Sequence, residues 1–393
     1  MLHRAAALIL LGVVAAACGS VHQPLSVSTP TESSGSPALG SPNPWITPSP
    51  TVASSARQAP TPCPTVQPAA QFQGSTLSSR NLALVKLQGG NQIVVRDLTD
   101  IEHPITVGQF DQQSLALGQF VSASEVSYAD FPYLIRTPFS GSPAKVAAQT
   151  CNGIFAFAWS PDGTAAAYID DDRSSDSAYL HVVRGGEDRV VSSMPHWPIT
   201  GCEAQWACLD SSSVRLLYSP DGAYISFVQW WGGPSLRIWT ADGRTLMSVD
   251  REAETMSVWS GSTAYWRDSS GVESWRDGHE SLALPGVKWI QPSASPAGGA
   301  IIYAARDGAG VPRVYRFDTV SGVTTEIAKS RNRPAFLTPR YIWYEEERLC
   351  APGDQCGAAV TMPTGNTYIY DLQTGTEARS IITAVGDVWP HPA

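Results

Sequence analysis

Beyond about residue 75 the apolar positions of the chain fall in short runs and not at helical spacing. The runs span roughly four to eight residues and are rich in Val, Ile, Tyr, Trp and Phe. They stop at Gly, Asp, Asn or Pro, the pattern of strands joined by turns. No stretch carries a convincing helical period, so the chain predicts an all-β fold.

One phrase recurs. Ile154 to Trp159 runs into Ser160-Pro161-Asp162-Gly163, and Thr164 to Ile169 follows. Val214 to Tyr218 runs into Ser219-Pro220-Asp221-Gly222, and Ala223 to Val228 follows. Weaker copies are Ser295-Pro296-Ala297-Gly298-Gly299, Trp259-Ser260-Gly261-Ser262 and Leu337-Thr338-Pro339-Arg340. In such a turn Pro presets φ, Asp bonds the local backbone, and Gly accepts the left-handed conformation. Each phrase therefore reverses one strand into a second. A third strand (Ala178 to Val183, Leu236 to Trp239) and a fourth (Arg189 to Val191, Thr245 to Val249) come after it. Four meandering strands make one propeller blade.

Fainter markers at Ser79 and Ser122 extend the series to Ser160, Ser219, Ser260, Ser295 and Thr338. Most of the intervals are close to the roughly 40–50 residues of blade repeats. One longer interval holds Cys202 and Cys208 and reads as an insertion between blades. Seven markers predict seven four-stranded blades, with six or eight as alternatives because the first two markers are weak. Ala384 to Trp389 has the character of a first strand with no blade after it, whereas Ser79 lacks a strand before it. The C-terminal strand is therefore expected to complete the first blade and close the β-propeller, removing exposed edges. The Ser-Pro-Asp-Gly phrases, each after an aromatic residue or close to one, resemble the WD40-like repeats of the TolB type over residues of about 75–393. That resemblance implies a scaffold for protein or peptide binding, which in other chains is an appendage of enzymes. It does not fix one function.

The N-terminus is a different material. Met1 to Arg4 is a short basic start, and Ala5 to Ala17 is apolar and uncharged. Such a run is too short for a span, which needs roughly 20 residues, and fits the core of a signal peptide. Ala15-Ala16-Ala17-Cys18-Gly19 resembles a bacterial lipobox, in which Cys18 is lipidated; Ala15 stands where Leu is usual. An ordinary secretory signal with an incidental Cys18 is the competing reading. Residues 18–72 are dominated by Ser, Thr, Pro, Ala and Gly and bury too little apolar area to order, as expected of a tether. The expected organisation is a signal peptide over 1–17, a tether over 18–72 and the propeller over 73–393. It places the protein on the extracytoplasmic side of a membrane, lipid-anchored.

Seven cysteines leave six once Cys18 is set aside, an even number suited to an oxidising compartment. Cys202/Cys208 and Cys350/Cys356 have equal, short separations, and each pair is expected to close a small loop. Cys63 and Cys151 are then left to pin the first ordered segment. A metal site is the competing reading of the pairs, but neither has the spacing of a zinc knuckle. The net charge of −9 and the scarcity of Lys argue against a nucleic-acid partner.

Searching for chemistry yields little. Gly-x-Ser-x-Gly, phosphate-loop and paired-histidine motifs are missing from the sequence, and no cofactor or metal is implied. Asp170-Asp171-Asp172 reads as a solvated loop, with a calcium loop as the alternative. Glu345-Glu346-Glu347-Arg348 reads as a charged edge or loop. Trp159, Trp259 and Trp389 are expected to pack between blades, and Trp239, Trp266 and Trp343 to lie in the core. Trp230 and Trp231, ahead of Gly232-Gly233-Pro234, form a candidate binding surface, and His196 with Trp197 a second.

The sequence supports a monomeric, non-catalytic module binding a protein, peptide or cell-wall component. The alternatives are a propeller enzyme acting on glycans or peptides, or a structural or sensory ectodomain working with a membrane partner. An axis lined by carboxylates and arginines favours the enzyme; a flat, plugged one favours the binder.

Overall fold

Leu82-Ala83-Leu84-Val85 shows why the apolar positions come in runs: all four side chains are fully buried. Successive residues of a strand point to opposite faces. Leu82 and Leu84 pack on Phe120, Val126 and Tyr128 on one side, while Ala83 and Val85 pack on Leu337 and Trp343 on the other. A strand buried on both faces has no polar side to alternate with.

The computed structural model describes residues 81–89, 92–101, 103–110, 118–130, 132–150, 153–172, 177–195, 214–229, 236–249, 257–356 and 360–392. They form 28 β-strands in seven four-stranded sheets, and among the described residues there is no helix. In six sheets the strands follow one another in the chain, each antiparallel to the next. In the remaining sheet Ile382–Trp389 comes first and pairs with Leu82–Leu87, which leads to Ile93–Asp97 and Thr106–Phe110. We number this blade 1. The expected closure by the C-terminal strand is what the strand order shows.

The first strands of blades 2 to 7 are Gly118–Ser122, Ile154–Trp159, Val214–Tyr218, Val258–Ser260, Ile290–Ala294 and Arg331–Phe336. First strands of neighbouring blades touch (1 with 2, 2 with 3, 3 with 4, 5 with 6, 6 with 7), so these strands ring the axis. Each apolar cluster draws its members from two adjacent blades. Indole N–H groups sew the blades together: Trp239 donates to Ser192 Oγ at 3.1 Å, Trp259 to Ser226 Oγ at 2.8 Å, and Trp343 to the Ile382 carbonyl at 2.9 Å. Trp159, Trp259, Trp239, Trp266 and Trp343 are buried as expected, and Trp389 packs against the cluster shared by blades 1 and 2.

Six of the sequence markers, Ser122, Ser160, Ser219, Ser260, Ser295 and Thr338, each mark a boundary between first and second strands, which is why they count blades 2 to 7; Ser79 lies outside the described residues, ahead of the second strand of blade 1. In blade 3 the Ser160 hydroxyl donates to Asp162 at 2.5 Å and accepts the Ala165 N–H at 2.9 Å, while Gly163 N–H donates to the Ser160 carbonyl at 2.8 Å. Blade 4 repeats the arrangement with Ser219, Asp221, Tyr224 and Gly222. The Ser160 hydroxyl and the Thr164 N–H hold the Asp162 carboxyl below the usual carboxylate range. Ser160, Pro161, Asp162 and Gly163, like Ser219, Pro220, Asp221 and Gly222, are therefore turn builders.

Two expectations need correction. Asp170, Asp171 and Asp172 are not in a loop but end the second strand of blade 3, Ala165–Asp172, where Asp170 is buried. Glu345 to Arg348 belong to the second strand of blade 7, Tyr341–Leu349, with Glu347 buried instead of at a charged edge.

Candidate binding end and central axis

Antiparallel order sorts the connections into two groups. Turns from first to second and from third to fourth strand emerge at one end of every blade. Connections from second to third strand, and onward to the next blade, emerge at the other, here called the loop end. The strand ends flanking Trp230 and Trp231 (Tyr224–Gln229 and Leu236–Thr240) are loop-end termini. So are those flanking His196, Trp197, Cys202 and Cys208 (Glu187–Pro195 and Val214–Tyr218). These residues, with Cys18, Cys63, Cys151 and the tether, lie outside the described residues.

Cys350 and Cys356 are described, and they form the expected disulfide, with Cα atoms 6.3 Å apart. The loop projects from the loop end of blade 7 and is braced from within. Arg348 holds Asp354 through two bonds of 2.6 and 2.9 Å, and the Ala351 N–H donates to the same carboxylate. The Arg348 guanidinium and that N–H hold the Asp354 carboxyl at about 2. Leu349 and Val360 flank the loop and are each about half exposed; Ile381 stands exposed at the same end.

Beneath this loop three consecutive glutamates each take a different job. Glu347 accepts from Asn332, from Thr361 at 2.5 Å and from Arg306 of blade 6 at 3.3 Å, tying the two blades. Glu346 accepts from Asn366, Thr364 and Arg331, and these bonds, Asn366 foremost, hold its carboxyl low. Glu345 pairs with Arg333 at 3.6 Å, but burial pushes its carboxyl above the ordinary range. Nothing in a run of glutamates distinguishes these roles, because they depend on partners from other strands.

At the axis, five first strands carry an extra residue relative to the second strand, a β-bulge. In blades 6, 7 and 1 bulges fall at Gln291-Pro292, Arg333-Pro334 and Gly386-Asp387. Gln291 and Arg333 have φ of 45° and 51°. A left-handed residue before proline is disfavoured, and such strain concentrates where a side chain is being aimed. Repetition of Gln-Pro and Arg-Pro one blade apart is the signal that a sequence reading could have used.

Asp387 reaches into blade 2, accepting the Phe120 N–H at 2.6 Å, and bonds His391 at 3.0 Å. Burial alone lowers His391, yet the Asp387 charge prevails and the imidazole sits above its usual value. Arg215, on the first strand of blade 4, also feels Asp387. Burial lowers its guanidinium and the Asp387 carboxylate opposes that. A blade-3 cluster of Tyr168, His181, Asp188 and Asp170 is internally matched, with His181 Nδ1 2.9 Å from Asp188 and Nε2 3.6 Å from Asp170. Among the described residues no group of three or more His, Cys, Asp or Glu is arranged to hold a metal ion.

Strand order, closure and the axial ring of first strands define the domain as a seven-bladed β-propeller. No family model matches the sequence, and no curated protein matches it. Among solved structures, TolB from Acinetobacter baumannii is similar at 13% identity over 78% of this chain and 81% of that chain, with a TM-score of 0.40. An oligogalacturonate lyase in complex with manganese is similar at 11% identity over 79% and 86%, with a TM-score of 0.47. Prolyl oligopeptidase B from Galerina marginata is similar at 14% identity over 77% of this chain and 51% of that chain, also at 0.47.

Proposed function

We propose that the protein is a lipid-anchored, extracytoplasmic binding module that engages a protein, peptide or cell-wall component at the loop end of its propeller. The carrying observation is the disulfide-stapled, internally bonded loop that blade 7 presents at the loop end; exposed apolar side chains occur at both ends, with Ile105, Val320 and Val323 at the turn end. The turn end is built of short, internally bonded reversals such as Ser160–Gly163. The loop end bears the disulfide-stapled projection of blade 7, with Leu349, Val360 and Ile381 exposed around it. A braced loop with exposed apolar side chains loses little entropy when it binds.

The enzymatic alternative draws on one specific feature. Arginines and carboxylates do gather at the axis, as Arg215, Arg333, Glu345 and Asp387. Against it, Asp387 and Glu345 each already have a partner. Incubating the protein with isolated envelope polymers separates the readings, since saturable retention without new products supports the binder and release of fragments supports the enzyme. The anchor is tested apart from this: Cys18→Ala should move the protein from the membrane to the soluble fraction. Unchanged membrane retention would contradict it.

A further inference from the structure

Arg215 is the axial residue that the fold leaves unexplained. It stands next to buried Leu216, is itself only partly exposed, and belongs to the strand of blade 4 nearest the axis. Among the described residues no hydrogen bond or ion pair engages its guanidinium. Arginines of blades 6 and 7, by contrast, are engaged: Arg331 by Glu346 and Glu377, Arg333 by Glu345, Arg306 by Thr361 and Glu347. The opposite charge that acts on Arg215 is Asp387, and Asp387 Oδ2 is already held by the Phe120 N–H and His391.

A guanidinium carries five N–H donors in a planar fork, and enclosing one without acceptors is unfavourable. A protein retains such a group where something else supplies the acceptors. Blades 7 and 1 lie three positions from blade 4 in a ring of seven, so their first strands, with the bulges at Arg333 and Asp387, stand on the opposite side of the axis. The charges there are Arg333 paired with Glu345, His391 paired with Asp387, and Arg215, which has no such partner among the described residues. With the other cations matched, Arg215 is the charge left to attract an anion.

We propose that Arg215 is an oxyanion-binding residue that holds a carboxylate or phosphate group entering along the propeller axis. The proposal rests on the reading of the domain as a binding module and names the chemistry that its axis selects. A free small anion and the acidic end of a longer ligand share that chemistry.

The test uses the full-length protein and its variants Arg215→Met and Arg215→Lys. Each is titrated with inorganic phosphate, with acetate, and with one short peptide ending in either a carboxylate or an amide. Chloride keeps the ionic strength constant. Thermal unfolding and calorimetric titration are read together. Wild type should unfold at higher temperature with added oxyanion. Arg215→Met should lose that response and, without anion, unfold no lower than wild type, because an apolar chain of similar length replaces an enclosed charge. Arg215→Lys keeps the charge and loses the fork, so its affinity should fall about tenfold or more.

A lower unfolding temperature of anion-free Arg215→Met overturns the proposal, since Arg215 would then be structural. So does an undiminished anion response in that variant, or none in wild type. Among supporting outcomes, a response to phosphate or acetate but not to the peptide acid assigns a free anion. A response to the peptide acid and not its amide assigns the end of a longer ligand. Envelope retention that survives in Arg215→Met, without any anion response, removes this site and leaves the binding module standing. An Arg215-dependent anion response with no envelope retention does the reverse.

Discussion

Gly163 and Gly222 occupy the same turn position with φ of 66° and 71°, yet their surroundings differ. A Cβ at Gly163 would lie 2.6 Å from the Val121 carbonyl oxygen of blade 2, whereas at Gly222 the nearest atom is Pro161 Cδ at 3.6 Å. Gly222→Ala therefore meets only the left-handed penalty of roughly 1–2 kcal/mol. Gly163→Ala adds a backbone clash and should cost at least about 1 kcal/mol more, of the order seen for overpacked sites. Equal losses on denaturant unfolding would show that the Val121 backbone gives way to a Cβ at Gly163 without cost. The turn chemistry at these residues was fully legible in the sequence, because Pro, Asp and Gly act on their own backbone. The Glu345–Glu347 roles, and the lack of a partner for Arg215 among the described residues, were not, because both depend on groups brought from other strands and blades. The difference between local and long-range partners accounts for most of what the sequence hid.

Among elements, the closing strand Ile382–Trp389 bears most on stability. It supplies the first strand of blade 1, and Asp387 fixes it to blade 2. Deleting residues 383–393 leaves Leu82–Leu87 as a bare edge next to the axis. The unfolding temperature should drop by more than about 10 °C, each kcal/mol being worth a few degrees. A negligible shift would mean that the ring is not held by this strand. The same strand sets a pH dependence. His391 is raised above its ordinary 6.5, so the Asp387–His391 bond stabilises the fold fully below that value. The contribution is lost as pH rises through the higher folded value. The stability gap between wild type and His391→Gln should therefore shrink from mildly acid to alkaline pH, and a constant gap contradicts the assignment. The Cys350–Cys356 loop is a further separable element. Replacing both cysteines by serine frees the loop-end projection, and its effect should be confined to blade 7, read as faster amide exchange at Tyr341–Leu349 and Thr361–Asp371. Exchange speeding equally in all blades would make the disulfide a global staple.

For the whole molecule, the blade count and the closure were readable because a repeated phrase marks each reversal and an unmatched strand sits at each end of the series. Connections are where that reading thins: they follow no repeat, and the loop end gathers them. The proposed organisation is a ring whose turn end is finished and whose loop end meets the partner. Photo-crosslinking in living cells tests it most directly, with the reactive residue placed at Leu349 or Val360 on the loop end, or at Val320 or Val323 on the turn end; all four are well exposed. The account predicts a discrete adduct from the two loop-end positions and none from the other two. Adducts from the turn-end positions alone, or from none of the four, would contradict it.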